Sequence, residues 1–373
     1  MAGIALHGRR LIRDQRHPGP APLVAVVMPT FNHARFVGAA IESVLAQTFT
    51  GWELVVVDDA SDDGTPDIVR AYRDDRIQLV SDGHRGLLRL RSAYEAALSR
   101  STAPLVAILE GDDRWPPDKL SRQVPDFNPP DVVLSYGLGE LIDACGIAYG
   151  LVEPPVTGPA RENVPTGSIL PSLLATNYLL SPTVMVRRAA LDAIGGFWQP
   201  DGVPFVDHPT WLLLAQQGRF AYHPAVVGSW RRHKAQWTTR AVSDSALIPE
   251  ETYLRLVVGR FADVLGPGDG ADDRLARLLA RHRDRAMLNQ WRRALLAGDR
   301  SAVLRMFLSL VRSVRPRLAM TALLGLVLWS VGSDLEWLQR RRHRVAWPSR
   351  RRERDHPCID SSADVGAWQR RSI

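Results

Sequence analysis

The chain is predicted to fold as an α/β protein around a mostly parallel sheet. Two observations predict this. Apolar runs of four to six residues recur between residues 23 and 109, and each of the first three is followed by a segment of helical periodicity. Continuously apolar strands suit a sheet covered on both faces, and strand–helix alternation joins parallel neighbours through right-handed crossovers.

The elements follow in order. Leu23 to Met28 is the first strand, ended by Pro29. Phe36, Ala40, Ile41, Val44 and Leu45 then mark one face of a helix. Leu54 to Val57 is a second strand, stopped by Asp58-Asp59. Pro66 to Tyr72 reads as a helix, Ile77 to Val80 as a strand and Leu87 to Leu98 as a helix. Leu105 to Leu109 is a fourth strand, stopped by Glu110-Gly111-Asp112-Asp113. Residues 125–170 are rich in Pro and Gly and read as irregular, with one strand at Val132–Ser135. Tyr178 to Val186 is a mixed strand region. Ala189 to Ile194 is a helical turn closed by Gly195-Gly196. Thr210 to Gln217 is a helix ended by Gly218, and from Pro249 onward the pattern is helical and arginine-rich. The expected organisation is a flexible leader (1–22), a main α/β body (23–245), a helical region (246–338) and a basic disordered tail (339–373).

Charge is unevenly spread. Lys and Arg number 47 against 40 Asp and Glu, a net of +7. Between Arg312 and Arg354 eleven arginines face three acids, a local excess of +8, so the rest of the chain is close to neutral. The arginines flank an uncharged segment, Leu318 to Ser333, that is too short for the ~30 Å hydrocarbon core and suits an interfacial helix at an anionic leaflet. A helix packed on residues 275–310 is the other reading. No stacking module for nucleic acid is evident. With no apolar run before Pro18, no secretory signal is expected, and the protein is placed in the cytoplasm at the inner membrane face.

In a parallel sheet, ligands bind beyond the carboxyl ends of the strands. Those ends carry Pro29-Thr30-Phe31-Asn32, Asp58-Asp59 and Glu110-Gly111-Asp112-Asp113. Carboxylates at a strand end are hard donors suited to Mg²⁺ or Mn²⁺, although such a run alone also reads as a solvated turn. Asp58-Asp59 and the Ser61–Thr65 stretch suit turn formation and helix capping, or a carboxylate that accepts the imide N–H of uracil or thymine. Asp207 alone reads as a first-turn helix carboxylate. His84 and Arg85 read as a solvated loop.

Four blocks taken together resemble the family 2 glycosyltransferases. They are Val26 to Asn32, Ala40 to Phe49, Glu53 to Thr65 (E-L-V-V-V-D-D-A-S-D-D-G-T) and Leu109 to Leu120 (L-E-G-D-D-R-W-P-P-D-K-L). The resemblance implies a GT-A fold with a C-terminal helical extension, and inverting transfer of a sugar from a nucleoside diphosphate. It implies that Pro29, Thr30, Phe31 and Asp59, with Asp58 adjacent, hold the nucleotide of a UDP- or dTDP-sugar. It implies that Asp112 and Asp113 hold a divalent metal (Mn²⁺ or Mg²⁺), with Glu110 where the family usually has Asp. It makes Asp207 the base, eleven residues after Gly196, with Val206 where Glu is usual. His233 of Trp230-Arg231-Arg232-His233 resembles a downstream R-x-H element that reaches the metal or diphosphate. The resemblance further implies bacterial surface polysaccharide or glycolipid assembly, on a glycan or lipid-linked acceptor. A nucleotidyltransferase would show a Gly-rich basic loop after the first strand, which this chain lacks. A non-catalytic, membrane-attached nucleotide-sugar binder is a further alternative.

Overall fold

The computed structural model describes residues 21–233, 236, 250–261 and 280. The leader to residue 20, the segment 318–333, the arginine cluster and the tail 339–373 lie outside them, as does most of 246–338.

Eight strands form one sheet. They are β1 (Val24–Thr30), β2 (Trp52–Asp58), β3 (Ile77–Val80), β4 (Leu105–Ile108), β5 (Val132–Ile142), β6 (Ala148–Val152), β7 (Met185–Arg187) and β8 (Arg219–Arg231). Their order is β3-β2-β1-β4-β7-β5-β6, with β8 paired to β5. Strands β1 to β4 are mutually parallel. The short β7 runs antiparallel between β4 and β5 and joins this half to a mixed half.

The parallel half forms because its strands are apolar on both faces. Every residue of β1 is buried. Val24, Val26 and Met28 face one core with helix α1 (Val37–Leu45) and Val69 of α2 (Thr65–Ala71). Val27, Val55 and Val57 point the other way, toward Ala93, Tyr94 and Ala97 of α3 (Leu90–Leu98). This is the two-residue alternation of a strand, buried on both sides.

The mixed half departs from the sequence reading. Most of β5, all of β6 and the 13-residue β8 occupy stretches that read as irregular or unassigned. Pro224 and Gly228 interrupt the pattern of β8, and both are poor strand formers. Gly228 has a packing reason. A Cβ there would lie 2.3 Å from the Pro182 carbonyl oxygen, so the backbone approach excludes any side chain.

Four short helices complete the frame: α4 (Lys119–Gln123), α5 (Leu170–Ala175), α6 (Arg188–Ala193) and α7 (Asp207–Leu214). The last described helix, α8 (Glu250–Arg260), buries Tyr253 and Val257, and Phe261 follows at the same spacing, all in the core that holds α7. That i, i+4, i+8 stripe is an amphipathic helix seated on the body.

Candidate active site

The carboxyl ends of the parallel strands are laced into one surface. Asn32 takes a left-handed backbone (φ 54°), which its short polar side chain tolerates. Its amide donates to Ser61 Oγ (2.8 Å) and its Oδ1 accepts from the Asp62 amide (3.0 Å). The Ala34 amide donates to Asp63 Oδ2 (2.8 Å), and the His33 amide to Thr65 Oγ1 (2.9 Å). Ser61 to Thr65 thus tie the β1 loop to the β2 loop.

Asp58 and Asp59 part company here. Asp58 is fully buried and accepts from the amide (3.1 Å) and hydroxyl (2.5 Å) of Ser61 and from Ser81 Oγ (3.3 Å). It builds the loop. Asp59 turns to the loop after β3, where its carboxylate accepts from the amides of Arg85 and Gly86. His84 Nδ1 lies 3.1 Å from Asp59 Oδ2, and its ring lies 5.4 Å from that of Phe31, which is 45% exposed. The loop that reads as solvated therefore frames Asp59 and Phe31. Thr30 is buried, with Oγ1 3.2 Å from His33 Nδ1, and Pro29 is buried within β1.

Glu110, Asp112 and Asp113 follow β4, and a ligand atom from each lies within 4.8 Å of the others. Gly111 lets this loop reach the β1 loop. Its amide donates to the Pro29 carbonyl (3.1 Å), and a Cβ would sit 2.4 Å from Thr30 Oγ1 and 2.9 Å from His33 Nδ1. Gly111→Ala is accordingly expected to cost about 1–3 kcal/mol by overpacking. It should displace the acidic loop as well. A melting curve and a nucleotide-binding titration check this; wild-type behaviour in both would contradict the packing argument.

The three carboxylates are held differently. Asp112 Oδ2 lies 3.0 Å from His233 Nε2 and 3.9 Å from His33 Nε2. Burial opposes its ionisation, yet the imidazoles of His33 and His233 outweigh that and keep it below its ordinary range. Asp113 is fully buried. Its Oδ1 accepts from the Arg231 amide (2.8 Å), while Oδ2 has no partner among the described residues. Burial, then the charges of Asp112 and Glu110, push it well above the carboxylate range. Glu110 accepts from the Tyr94 hydroxyl (3.3 Å), and burial followed by the charges of Asp112 and Asp207 pushes it up to about 8.

Crowded, buried carboxylates with an orphaned oxygen are a donor set that a hard divalent cation fits. Arg231 does not fill that role. Its Nε donates to the Asp112 carbonyl (2.7 Å) and its guanidinium reaches the Asp143 carbonyl (3.1 Å), which pins the end of β8 to the acidic loop.

Asp207 opens α7 on the far half of the sheet. Asn177 Nδ2 donates to its Oδ2 at 2.7 Å. Burial raises its carboxyl, against hydrogen bonds from the His208 amide and Asn177. Its charge reaches Glu110 and Tyr94, so residues some hundred positions apart share one electrostatic environment. Sequence reasoning does not single out Asn177, Tyr94 or His33, and it offers Arg231 only as a partner for phosphate. None of the first three lies in a run that distinguishes it from ordinary surface or core.

A parallel four-stranded half that ends in an acidic loop, joined by an antiparallel strand to a mixed half, is the architecture that the GT-A resemblance implies. The comparisons agree. The model of Glycosyl transferase family 2 matches residues 25–191. The putative teichuronic acid biosynthesis glycosyltransferase TuaG of Bacillus subtilis is 30% identical over 205 residues, 54% of this chain and 75% of that protein. The UDP-Glc:alpha-D-GlcNAc-diphosphoundecaprenol beta-1,3-glucosyltransferase WfgD of Escherichia coli is 34% identical over 133 residues, 35% of this chain and 51% of that protein. The fold is similar to that of S. aureus TarS 1–349 in complex with UDP-GlcNAc, with a TM-score of 0.54 at 18% identity over 79% of this chain and 82% of that one. The chain belongs to glycosyl transferase family 2, and the protein is a glycosyltransferase enzyme.

Proposed function

We propose that the protein transfers a sugar, with inversion, from a uridine or thymidine diphosphosugar to a hydroxyl of a glycan or lipid-linked acceptor, in assembly of bacterial surface polysaccharide. The observation that supports this is the buried Glu110–Asp112–Asp113 cluster at the carboxyl edge of the parallel strands, with the charge of Asp207 felt at Glu110. The names of TuaG and WfgD, for teichuronic acid biosynthesis and for a diphosphoundecaprenol acceptor, support the acceptor class. We place the reaction at the cytoplasmic membrane face. The arginine-flanked segment 318–333 supports attachment there. No helix among the described residues is long and apolar enough to cross a membrane.

The roles follow from position. Asp59 accepts the imide N–H of the base, and Phe31 offers it an exposed aromatic face. Thr30 and Pro29 shape the floor, and Asp58 holds the loop. Asp112 and Asp113, with Glu110 and His233 beside them, would hold Mn²⁺ or Mg²⁺. Such an ion neutralises the charge that develops on a leaving diphosphate. Asp207 takes the acceptor proton as the hydroxyl oxygen bonds to the anomeric carbon and the sugar–diphosphate bond breaks. Attack from the side opposite the leaving group inverts the configuration. Asn177 holds one carboxylate oxygen and so sets the direction of the other.

A donor panel tests this. Turnover is expected with a uridine or thymidine donor in the presence of Mn²⁺ or Mg²⁺. Asp59→Ala should raise donor KM about ten- to a hundred-fold, the worth of a charge-assisted hydrogen bond, with kcat much less affected. A preference for a guanosine donor, or an unchanged KM in Asp59→Ala, would overturn the assignment of the base site.

A further inference from the structure

Among the described residues, helix α8 meets the helix of Asp207 through a polar contact. The Tyr253 hydroxyl lies 2.9 Å from His208 Nδ1. The other ring nitrogen, Nε2, lies 2.9 Å from the Leu173 carbonyl oxygen at α5. A carbonyl only accepts, so Nε2 carries a proton. In the neutral ring Nδ1 is then an acceptor, and the Tyr253 O–H is its donor.

Both side chains are buried, and Tyr253 also packs edge-on against Phe205 with ring centroids 5.1 Å apart. Val257 and Phe261 anchor the same face of α8 in the core. His208 is thus clamped between α5 and α8. Its neighbour Asp207 is bonded to Asn177, just after α5, and Trp211 Nε1 donates to the Leu179 carbonyl (3.3 Å). The segment 173–179 holds α7 from one side, and Tyr253 completes the hold from the other.

We propose that Tyr253 is a positioning residue for the transfer reaction. Through His208 it seats the first turn of α7 and aims the Asp207 carboxylate at the acceptor hydroxyl, so docking of α8 sets the catalytic geometry. The role rests on the reading of Asp207 as the base. It concerns only the acceptor side. Asp59 and the acidic loop instead follow β2 and β4.

The test uses the full-length protein. Tyr253→Phe keeps the ring and its packing and deletes only the donor. Its kcat is expected to fall about ten-fold or more, because a misplacement of ~1 Å at a reacting group costs up to ~10²-fold. Donor KM and nucleotide affinity should stay at wild-type values. His208→Ala should fall comparably, and the double variant no further, since both break one link. Leu256→Ala, exposed on the same helix, should keep wild-type kcat. Melting curves set an assay temperature at which each variant is folded. A wild-type kcat in Tyr253→Phe, an additive cycle, or losses of kcat and donor affinity in step would overturn the proposal. Asp207→Asn is run in parallel. If it turns over normally, the base assignment fails. If it is inactive while Tyr253→Phe is wild-type, only the positioning role fails.

Discussion

Asp207→Asn is expected to lower kcat by about a thousand-fold and to leave nucleotide affinity nearly unchanged. General base catalysis contributes ~10²–10⁴-fold, and Asn has the same shape without the basic lone pair. The amide oxygen still accepts from Asn177 Nδ2, so the local geometry survives. Removing this charge also relieves Glu110, whose carboxyl is raised in part by Asp207, so the donor side should not weaken. The wild-type pH profile carries the same assignment. Burial raises the Asp207 carboxyl, so the basic form is lost as pH falls through a value above the ordinary ~4. The acid limb of kcat should therefore lie higher than for an exposed aspartate. Steady-state kinetics and a nucleotide titration check both points. A variant with near-normal kcat would remove Asp207 from the mechanism.

The second large effect is at Asp112. Asp112→Asn should cost roughly 10²–10³-fold in turnover, the equivalent of several kcal/mol of charge stabilisation at the diphosphate. It should also abolish metal-dependent binding of UDP, which calorimetry reads without any turnover. Asp112 is 3% exposed and sits between two imidazoles and two other carboxylates, so no neighbour can replace its oxygen without moving the loop. In the wild type a chelator should reproduce both losses, and added Mn²⁺ should restore them. The variant should not be rescued. Turnover that ignores the chelator would show that the acidic cluster holds no essential cation.

The parallel half was legible because of where its apolar residues fall. β1, β2 and β4 are continuous hydrophobic runs that end at Pro29, Asp58 and Glu110, and burial on both faces leaves little choice of register. β5 beyond Ser135 and β8 were not. They carry Gly137, Gly139, Pro224 and Gly228, and the side chains of β8 are in large part only half-buried. What holds them is a long partner strand and a close backbone approach, neither of which has a local pattern.

By itself the sequence determined the class of sheet and which edge carries the acidic clusters. Parallel strands joined by helices put every carboxyl end on one side, so clusters far apart in the chain had to converge. Only the tertiary structure decided how neighbouring carboxylates divide their work. Asp58 turns inward to Ser61 and Asp59 outward to the Arg85–Gly86 amides, although they are adjacent in sequence. It also decided which distant residues stand beside Asp207. Asn177 follows α5, Tyr94 lies on α3 and Tyr253 on α8, and their placement depends on how helices pack on a sheet. Packing of that kind is a property of shape and volume, and no spacing along the chain records it.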